Sequence, residues 1–375
     1  MPVTIGALRE SAPQETRVSL VPEVADKFVQ TGARVMVERG AGTRAQFPDS
    51  LYKQVSWADS GTAVLEQANV ILCVQPLSVE QIQRLKADAV VIGFMQAYAR
   101  KAEVTALKDK RITSFAMEFV PRISRAQSMD ALSSQAAIAG YKAVLIAASY
   151  LQKFLPMLTT AAGTIRPSSV LVIGAGVAGL QAIATARRLG AVVEAYDVRA
   201  ATKEQVKSLG AKFVDTGVSA EGTGGYAREL TEEEKRKQQE VLDARIAAVD
   251  AVVSTASVPG RPAPKIISRA VVERMRPGSV IVDLAAEQGG NCELTQAGEV
   301  LEHQGVKIVG AVNLPASLAY NASEMYARNL LNFLRPALDK GELKIDWNDE
   351  VFAQSCLTHA GEIKHEPTRK SMGGT

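Results

Sequence analysis

Residues 170–197 read VLVIGAGVAGLQAIATARRLGAVVEAYD, and the order of residue types predicts a strand, a glycine loop and a helix. The apolar run 170–173 has the length of a buried strand, and residues 177–189 have the spacing of a helix. A second apolar strand, residues 191–196, ends at Asp197. Strand, glycine loop, helix and strand, closed by an acidic residue, are typical of a Rossmann domain that binds a dinucleotide.

Each glycine of this GxGxxG loop has its own predicted task. Gly174 permits the tight turn after the strand, Gly176 lets a pyrophosphate approach the backbone, and Gly179 lets helix and strand pack closely. We expect the loop, with its intervening Ala175 and Val177, to hold the phosphates through free backbone N–H groups and the helix dipole.

The residues after the second strand predict which dinucleotide binds. Asp197 is expected to accept hydrogen bonds from the adenosine ribose, and its charge would repel a 2′-phosphate. Arg199, one residue beyond Val198, has two interpretations: it accommodates a 2′-phosphate, or it stacks on the cofactor and steers its phosphates. We favour the second, so the segment predicts an NAD(H) site and not an NADP(H) site.

The rest of the chain predicts a second domain of the same kind. Residues 1–120 alternate short apolar strands with amphipathic helices, which implies a parallel sheet with helices on both faces. The predicted fold is therefore α/β, with two Rossmann-like domains, parallel sheets and a cleft between them. We expect the N-terminal domain over residues 1–130 plus about 325–375, and the NAD(H)-binding domain over residues 140–320. Candidate strands of the first domain are residues 3–8, 34–38, 70–74, 89–94 and 113–119.

Composition and charge exclude several classes of protein. Of 375 residues, 47% are apolar and 22% charged, the balance of a folded α/β protein. A net charge of +3 is too small to indicate nucleic-acid binding. The three cysteines lie far apart without metal-ligand spacing, so no metal site is expected. We expect neither a signal peptide nor a transmembrane helix, because the apolar stretches 143–151 and 170–186 are respectively too short and interrupted by the glycine loop.

Two polar segments have two interpretations each. PRISRAQSMD (residues 121–130) is either a solvated interdomain linker with a helix cap or part of a binding cleft. In a cleft, a carboxamide and a ribose would be partners for the charges of Arg122, Arg125 and Asp130. Tyr226, which lies among glycines, is either the flat face of a lid or an incidental residue of a disordered loop.

The chain shows no evident general acid or base. A dehydrogenase that acts on a hydroxy or amino acid must move a proton as well as a hydride. His303, His359 and His365 lie near or after the end of the predicted nucleotide domain, and we expect them on the surface or in the tail. Because a lysine or an aspartate can replace histidine, this disfavours such an enzyme without excluding it.

Six segments together resemble those of one family. They are PRISRAQSMD (121–130), TAAGT (160–164), GAGVAGLQAIATARRLGA (174–191), DVRAATKEQV (197–206), GGYA (224–227) and DLAAEQGGN (283–291). The chain thereby resembles the soluble NAD(H)-binding component of proton-translocating nicotinamide nucleotide transhydrogenase, from ETRV (residues 15–18) to Leu334. The loop 121–130 is far more specific than the glycine motif.

The resemblance implies the residues of the site. Arg122, Asp130 and Ser133 would address the carboxamide of the nicotinamide, and Gln127 would reach towards the nucleotide of a partner. With Tyr226 they form the catalytic set. The other cofactor contacts that the resemblance implies are Gly225, Tyr226, Gln238 and Ser257. The first two would belong to a mobile loop that closes over NAD(H), Gln238 would lie close by, and Ser257 would lie near the adenosine.

The resemblance also implies a reaction and its partners. Hydride would pass directly from NADH to NADP⁺ bound on a partner component, coupled to proton translocation across the membrane. A homodimer of this chain would dock on the NADP(H)-binding component, which is tied to a membrane-spanning proton-channel component. The chain would then be cytoplasmic and peripheral, at the inner face of the cell membrane. Because the sequence ends at Thr375 without membrane helices, it resembles the split form of the family.

Two other functions compete with this one. Alanine dehydrogenases are related and share the ETRV-like start, so Arg17 is common to both. They carry a substrate lysine where this chain has Cys73, a histidine near residues 94–96, and a catalytic aspartate where this chain has Glu287. Alanine chemistry therefore lacks its anchors here. A non-catalytic NAD(H) sensor or assembly module is the second alternative.

Overall fold

The computed structural model describes residues 2–217, 231–257 and 261–373, in which strands and helices alternate. The strands, in chain order, are β1 (Thr4–Ala7), β2 (Arg34–Glu38), β3 (Ser56–Ala58), β4 (Val70–Leu72), β5 (Val90–Gly93), β6 (Thr113–Ala116), β7 (Leu158–Thr160), β8 (Gly163–Ile165), β9 (Ser169–Ile173), β10 (Val192–Tyr196), β11 (Lys212–Phe213), β12 (Ala251–Ser254), β13 (Val280–Asp283), β14 (Val300–His303), β15 (Val306–Gly310), β16 (Leu338–Asp339), β17 (Glu342–Leu343), β18 (Cys356–His359) and β19 (Glu362–Ile363). The α-helices are α1 (Pro22–Gln30), α2 (Gly61–Gln67), α3 (Val79–Arg84), α4 (Lys101–Asp109), α5 (Ala131–Tyr150), α6 (Val177–Arg188), α7 (Lys203–Ser208), α8 (Glu232–Ala248), α9 (Arg269–Val272), α10 (Ala319–Leu334), α11 (Glu350–Ser355) and α12 (Glu366–Ser371).

The chain divides into two compact units. Unit 1 contains the residues up to Gln135 and those from Pro315 onward, and unit 2 contains residues 136–314. Both the start and the end of the chain therefore belong to unit 1.

The sheet of unit 1 has the strand order β19-β18-β6-β5-β4-β1-β2-β3. Strands β1 to β6 run parallel, and β1 lies between β2 and β4 with Ile5 opposite Val35 and Val70. Counted from β3, these six strands follow the order 3-2-1-4-5-6 of the Rossmann fold. The tail strands β18 and β19 continue the sheet beyond β6 in antiparallel pairing.

The sheet of unit 2 repeats this plan with the order β11-β10-β9-β12-β13-β15-β14. Its strands are parallel except β14, which pairs antiparallel with β15. All residues of β12 and β13 are buried, as expected for strands covered by helices on both faces. The hairpin of β7 and β8 stands apart from this sheet.

Local sequence accounts for the ends of several helices. α8 begins at a capping box, in which the Thr231 hydroxyl accepts the Glu234 N–H while the Glu234 carboxylate accepts the Thr231 N–H. Three glutamates in its first turn complement the positive end of the helix dipole. In α1, Pro22 stands at the start, where its missing N–H costs no hydrogen bond.

The α/β class and the two Rossmann-like units are confirmed, with one correction. The sheets are mixed and not wholly parallel, because tail strands and β14 add antiparallel pairs at the edges. The chain beyond Lys340, where the sequence predicted no element, holds β17 to β19 and two helices.

Within the part of the chain that the structure describes, one helix is long and apolar enough to be considered as a membrane span. α5 has 20 residues and a mean hydropathy of 1.3 over its most apolar window, of which 39% is buried inside the protein. Core helices meet the same criteria, and Ala143, Val144 and Ala147 of α5 pack in the core of unit 2. Length and composition are therefore weak evidence for a membrane segment.

Candidate nucleotide-binding site

The three glycines after β9 differ in what they make possible. Gly174 has a φ of +94°, and a Cβ there would lie 2.6 Å from the Thr255 hydroxyl, so the turn requires glycine. A Cβ on Gly179 would collide with the carbonyl oxygen of Gly174, which ties helix α6 to the strand. A Cβ on Gly176 would meet nothing within 4 Å, and its φ of −78° is ordinary. Gly176 thus keeps a space clear at the N-terminus of α6, where a pyrophosphate would fit.

Asp197 follows β10 and faces the glycine loop. Its carboxylate accepts the Ala175 N–H at 2.7 Å, the Arg199 N–H at 2.8 Å, and two guanidinium N–H groups of Arg199 at 3.0 Å each. Burial raises the pKa of Asp197, but the hydrogen bonds from Arg199 and Ala175 outweigh it, so the pKa is lowered. The residue is 9% exposed and ionised, which is the state required of a ribose acceptor. The adjacent Val198 is exposed.

Arg199 is held on this carboxylate. Its guanidinium lies 3.0 Å from Asp197, while 61% of the side chain is exposed. The two interpretations of Arg199, which concern a bound cofactor, stay predictions.

Two polar residues that the sequence did not single out hold the loops of this edge. The Thr255 hydroxyl donates towards the carbonyls of Ile173 and Gly174, at 3.2 Å each. Asn291, fully buried, accepts from the Ser254 hydroxyl and the Ala256 N–H and donates to the carbonyls of Ala256 and Pro264. This single amide holds Ala256 and Pro264 by hydrogen bonds to their backbone. Its place at the end of DLAAEQGGN was the only signal, and a sequence does not show which asparagines are buried.

Of the other predicted contacts of unit 2, the structure describes Ser257 and Gln238. Ser257 is exposed after β12, next to undescribed residues 258–260. Gln238 is half-buried on α8. Gly225 and Tyr226 lie outside the described residues.

The loop 121–130 belongs to unit 1 and contains a short 3₁₀ helix, Ser124–Met129. Asp130 caps α5, since its carboxylate accepts the N–H of Ser133 at 2.8 Å and the Ser133 hydroxyl at 2.6 Å. The helix cap in the linker interpretation is therefore present. Arg125 pairs with Asp349 at 2.6 Å, which gives it a structural partner.

The remaining polar side chains of this loop face outward. Arg122 and Gln127 are both exposed, and neither side chain bonds another side chain within the described ranges. Helix α10 holds the loop, because Asn329 and Asn332 both donate hydrogen bonds to the Ser128 carbonyl. The backbone of the loop is thus fixed by α10, while the side chains of Arg122 and Gln127 are exposed to solvent.

Arg17 lies in a buried polar network of unit 1. Its guanidinium donates to the Glu15 carboxylate at 2.6 and 2.8 Å and to the Gln135 carbonyl at 2.8 Å. Burial raises the pKa of Glu15, but the bonds from Arg17 prevail and lower it to about 2. Gln75 donates to Glu15 and accepts from Gln96, so neutral amides line the network near Cys73.

The histidines have structural partners. His303 contacts Glu273 at 3.0 Å on an edge strand, His359 contacts the Thr113 hydroxyl at 3.0 Å, and His365 caps α12. Among the residues that the structure describes, no three His, Cys, Asp or Glu side chains are grouped to hold a metal ion.

Comparison with known proteins gives a consistent result. Family models described as "Alanine dehydrogenase/PNT, N-terminal domain" and "Alanine dehydrogenase/PNT, C-terminal domain" match residues 6–139 and 143–366. The chain is 47% identical over 370 residues to the first portion of NAD(P) transhydrogenase subunit alpha of Rhodospirillum rubrum, covering 95% of this chain and 96% of that one. A transhydrogenase crystal structure from Sinorhizobium meliloti matches with a TM-score of 0.88 and 44% identity, over 96% of this chain and 99% of the other. An alanine dehydrogenase of Methanococcus maripaludis is 26% identical over 98% of this chain and 96% of its own length.

Proposed function

Because the chain belongs to the alanine dehydrogenase/PNT family, on its NAD(P) transhydrogenase subunit alpha branch, we propose that it is the NAD(H)-binding subunit of a proton-translocating transhydrogenase. In this function hydride passes directly from NADH to NADP⁺ bound on a partner component. The buried, ionised Asp197 carboxylate beside the glycine loop carries the proposal. It can accept hydrogen bonds from the adenosine ribose of NAD(H), and its negative charge would repel the 2′-phosphate of NADP(H).

The residues of unit 2 fit the adenosine and pyrophosphate of NAD(H). The space above Gly176 suits a pyrophosphate at the N-terminus of α6. Ala175 and Val177 flank that glycine, and Asp197 suits the ribose diol. Bound NADH supplies the hydride, and these residues fix its position.

We assign the nicotinamide contacts to the loop 121–130 and the start of α5. Asp130 and Ser133 bond each other and so form a fixed polar pair for a carboxamide, with Arg122 on the same loop. Gln127, exposed, is assigned to the partner's nucleotide. Gly225 and Tyr226 are assigned to the closing loop, with Gln238 and Ser257 as further contacts, by resemblance to the family.

Direct hydride transfer requires no acid or base at the site. Transfer between two nicotinamide C4 atoms moves no proton there, so positioning and exclusion of water are the demands on the protein. The loop 121–130, bonded by α10, and the glycine turn, bonded by Thr255, suit the positioning of a nicotinamide nucleotide. Coupling to proton movement is assigned to the membrane component.

Alanine dehydrogenase activity is the alternative, and Arg17 is the observation that favours it. In this structure, however, the Arg17 guanidinium is buried against Glu15 and Gln135, whereas a substrate carboxylate would need it. Cys73 stands where that chemistry has its lysine, and residues 94–96 contain no histidine.

An exposed apolar hairpin supports the proposed homodimer. Phe154, Met157, Leu158 and Ile165, on and before β7 and β8, are 36–63% exposed. In a symmetric dimer, this apolar surface of each copy would be buried against the other copy. We further propose that the dimer docks on the NADP(H)-binding and proton-channel components at the cytoplasmic face of the cell membrane.

The test mixes this chain with an NADP(H)-binding partner component and follows hydride transfer from NADH to an NADP⁺ analogue optically. We expect transfer only with both components present. L-alanine and NAD⁺ with the isolated chain serve as the second arm, and NADH formation there would favour the dehydrogenase. NADH binding without transfer to the partner would indicate a sensor module.

A further inference from the structure

The sheets of units 1 and 2 carry a carboxylate at the same topological position. In unit 2, Asp197 follows β10 and accepts the N–H of Ala175, the second residue after β9, at 2.7 Å. In unit 1, Glu38 ends β2 and accepts the N–H of Arg9, the second residue after β1, also at 2.7 Å. Glu38 is 8% exposed, as buried as Asp197. In a Rossmann sheet this position holds the acid that binds a ribose.

An open cavity lies over this edge of unit 1. It has a volume of about 690 Å³ and is lined by Glu38, Arg9 and Arg44, with Leu8 and Leu65 as apolar walls. This volume lies within the range of small-molecule sites, about 300–1,000 Å³. The cavity sits at the carboxyl ends of β1 and β2, where doubly wound folds bind the nucleoside half of a ligand.

The phosphate-binding device differs between the two edges. Residues 8–21, which follow β1, contain no glycine, so the backbone cannot approach a phosphate as it does at Gly176. Two guanidinium groups are present instead. That of Arg44 is fixed by donating to the Glu10 carbonyl, and that of Arg9 lies 3.9 Å from Glu38. Arginine binds phosphate in bidentate geometry, so this pair suits a phosphate group.

We propose that this unit 1 cavity binds a ribonucleoside 5′-monophosphate. The ribose diol bonds the Glu38 carboxylate, the phosphate lies between Arg9 and Arg44, and the base occupies the rest of the cavity. The site is separate from the NAD(H) edge of unit 2, so it gives this chain a second nucleotide site, suited to an effector and not to a hydride donor.

The test measures AMP binding by equilibrium dialysis in the presence of saturating NADH, which blocks the edge of unit 2. We expect one AMP per chain. Arg44→Ala and Glu38→Gln should each weaken AMP binding at least tenfold. Arg39→Ala is the matched control, because Arg39 lies in the same segment but pairs with Asp59 and stacks on Trp57 outside the cavity lining.

Three results overturn the proposal. They are no AMP uptake by the NADH-saturated wild type, unchanged AMP affinity in the Arg44→Ala variant, and inorganic phosphate binding as tightly as AMP. Arg44 is exposed, so its variant decides the matter even where Glu38→Gln does not fold. NADH affinity, measured in the same variants, should stay at the wild-type value. A wild-type chain that does not bind NADH would instead contradict the function proposed above.

Discussion

Replacing Asp197 by alanine tests the proposed cofactor through a residue whose contacts are known. The carboxylate accepts four hydrogen bonds, one from Ala175 and three from Arg199. A ribose diol would add charge-assisted hydrogen bonds to the same oxygens, and such bonds contribute about 1.5–3 kcal/mol. We therefore expect Asp197→Ala to weaken NADH binding about 10- to 150-fold.

The same change costs stability, and the two effects can be separated. Alanine leaves the buried Ala175 N–H without its acceptor, at a cost of about 1–3 kcal/mol. Asp197→Asn keeps one acceptor oxygen for the Ala175 N–H, but it removes the charge and replaces the oxygen that accepts the Arg199 N–H groups by an NH2 donor. We expect the asparagine variant to unfold closer to the wild-type temperature while it no longer discriminates against NADPH.

The assay is a pair of fluorescence titrations, with NADH and with NADPH, on the wild type and both variants. Asp215→Ala is the control, because this acid follows β11 in the same sheet but is exposed and pairs with Lys203. Its NADH affinity should match the wild type. Equal wild-type affinities for NADH and NADPH, or an alanine variant that binds NADH normally, would refute the role of Asp197.

Four further changes probe other parts of the molecule. Gln127→Asn should leave NADH affinity of the isolated chain unchanged but slow single-turnover transfer in the complex about a hundredfold, since a displacement of about 1 Å has that effect; normal transfer would contradict it. Tyr226→Ala should slow transfer more than it weakens NADH binding, and NADH-insensitive loop signals in NMR would count against a lid. Ile165→Lys places a charge on the exposed hairpin and should produce monomers in analytical ultracentrifugation, whereas a persistent dimer would locate the interface elsewhere. Burial raises the pKa of Glu10 from 4.5 to about 7, so its ionisation costs stability as the pH rises through that window. Glu10→Gln should therefore gain about 3 kcal/mol on the wild type between pH 4.5 and about 8, by denaturant unfolding, and a difference that does not vary with pH would show that Glu10 does not titrate there.

The turn and the acidic residue at the end of β9 and β10 were predictable because their determinants are close together in the chain. The turn at Gly174, the packing at Gly179 and the acid at Asp197 lie within 24 residues. Few other residue types could occupy these three positions, so the spacing of the glycines and the aspartate predicts the local structure. The α/β class followed from the same alternation repeated along the chain.

The tail of unit 1 was not predictable, for a physical reason. Strand β18 has four residues, and it forms only because Cys356 and Thr358 pair with β6 more than 240 residues away. A segment of four residues is too short to show the alternation of a strand, so its conformation depends on the pairing with β6. The cap at Asp130 was anticipated, whereas the ion pair of Arg125 with Asp349 depends on that same distant tail.

Arg17, the residue that favours the alternative function, has structural partners in this chain. A guanidinium that binds a substrate carboxylate must have an open face, but here Glu15 and Gln135 bond it inside a buried network. Removal of Glu15 would leave the buried Arg17 guanidinium without its carboxylate, which costs about 3–5 kcal/mol. In this structure the Arg17 guanidinium bonds residues of unit 1, whereas an alanine dehydrogenase would use it for substrate. This arrangement agrees with the proposed function, in which the hydride acceptor is a nucleotide bound on a partner and no substrate carboxylate is needed.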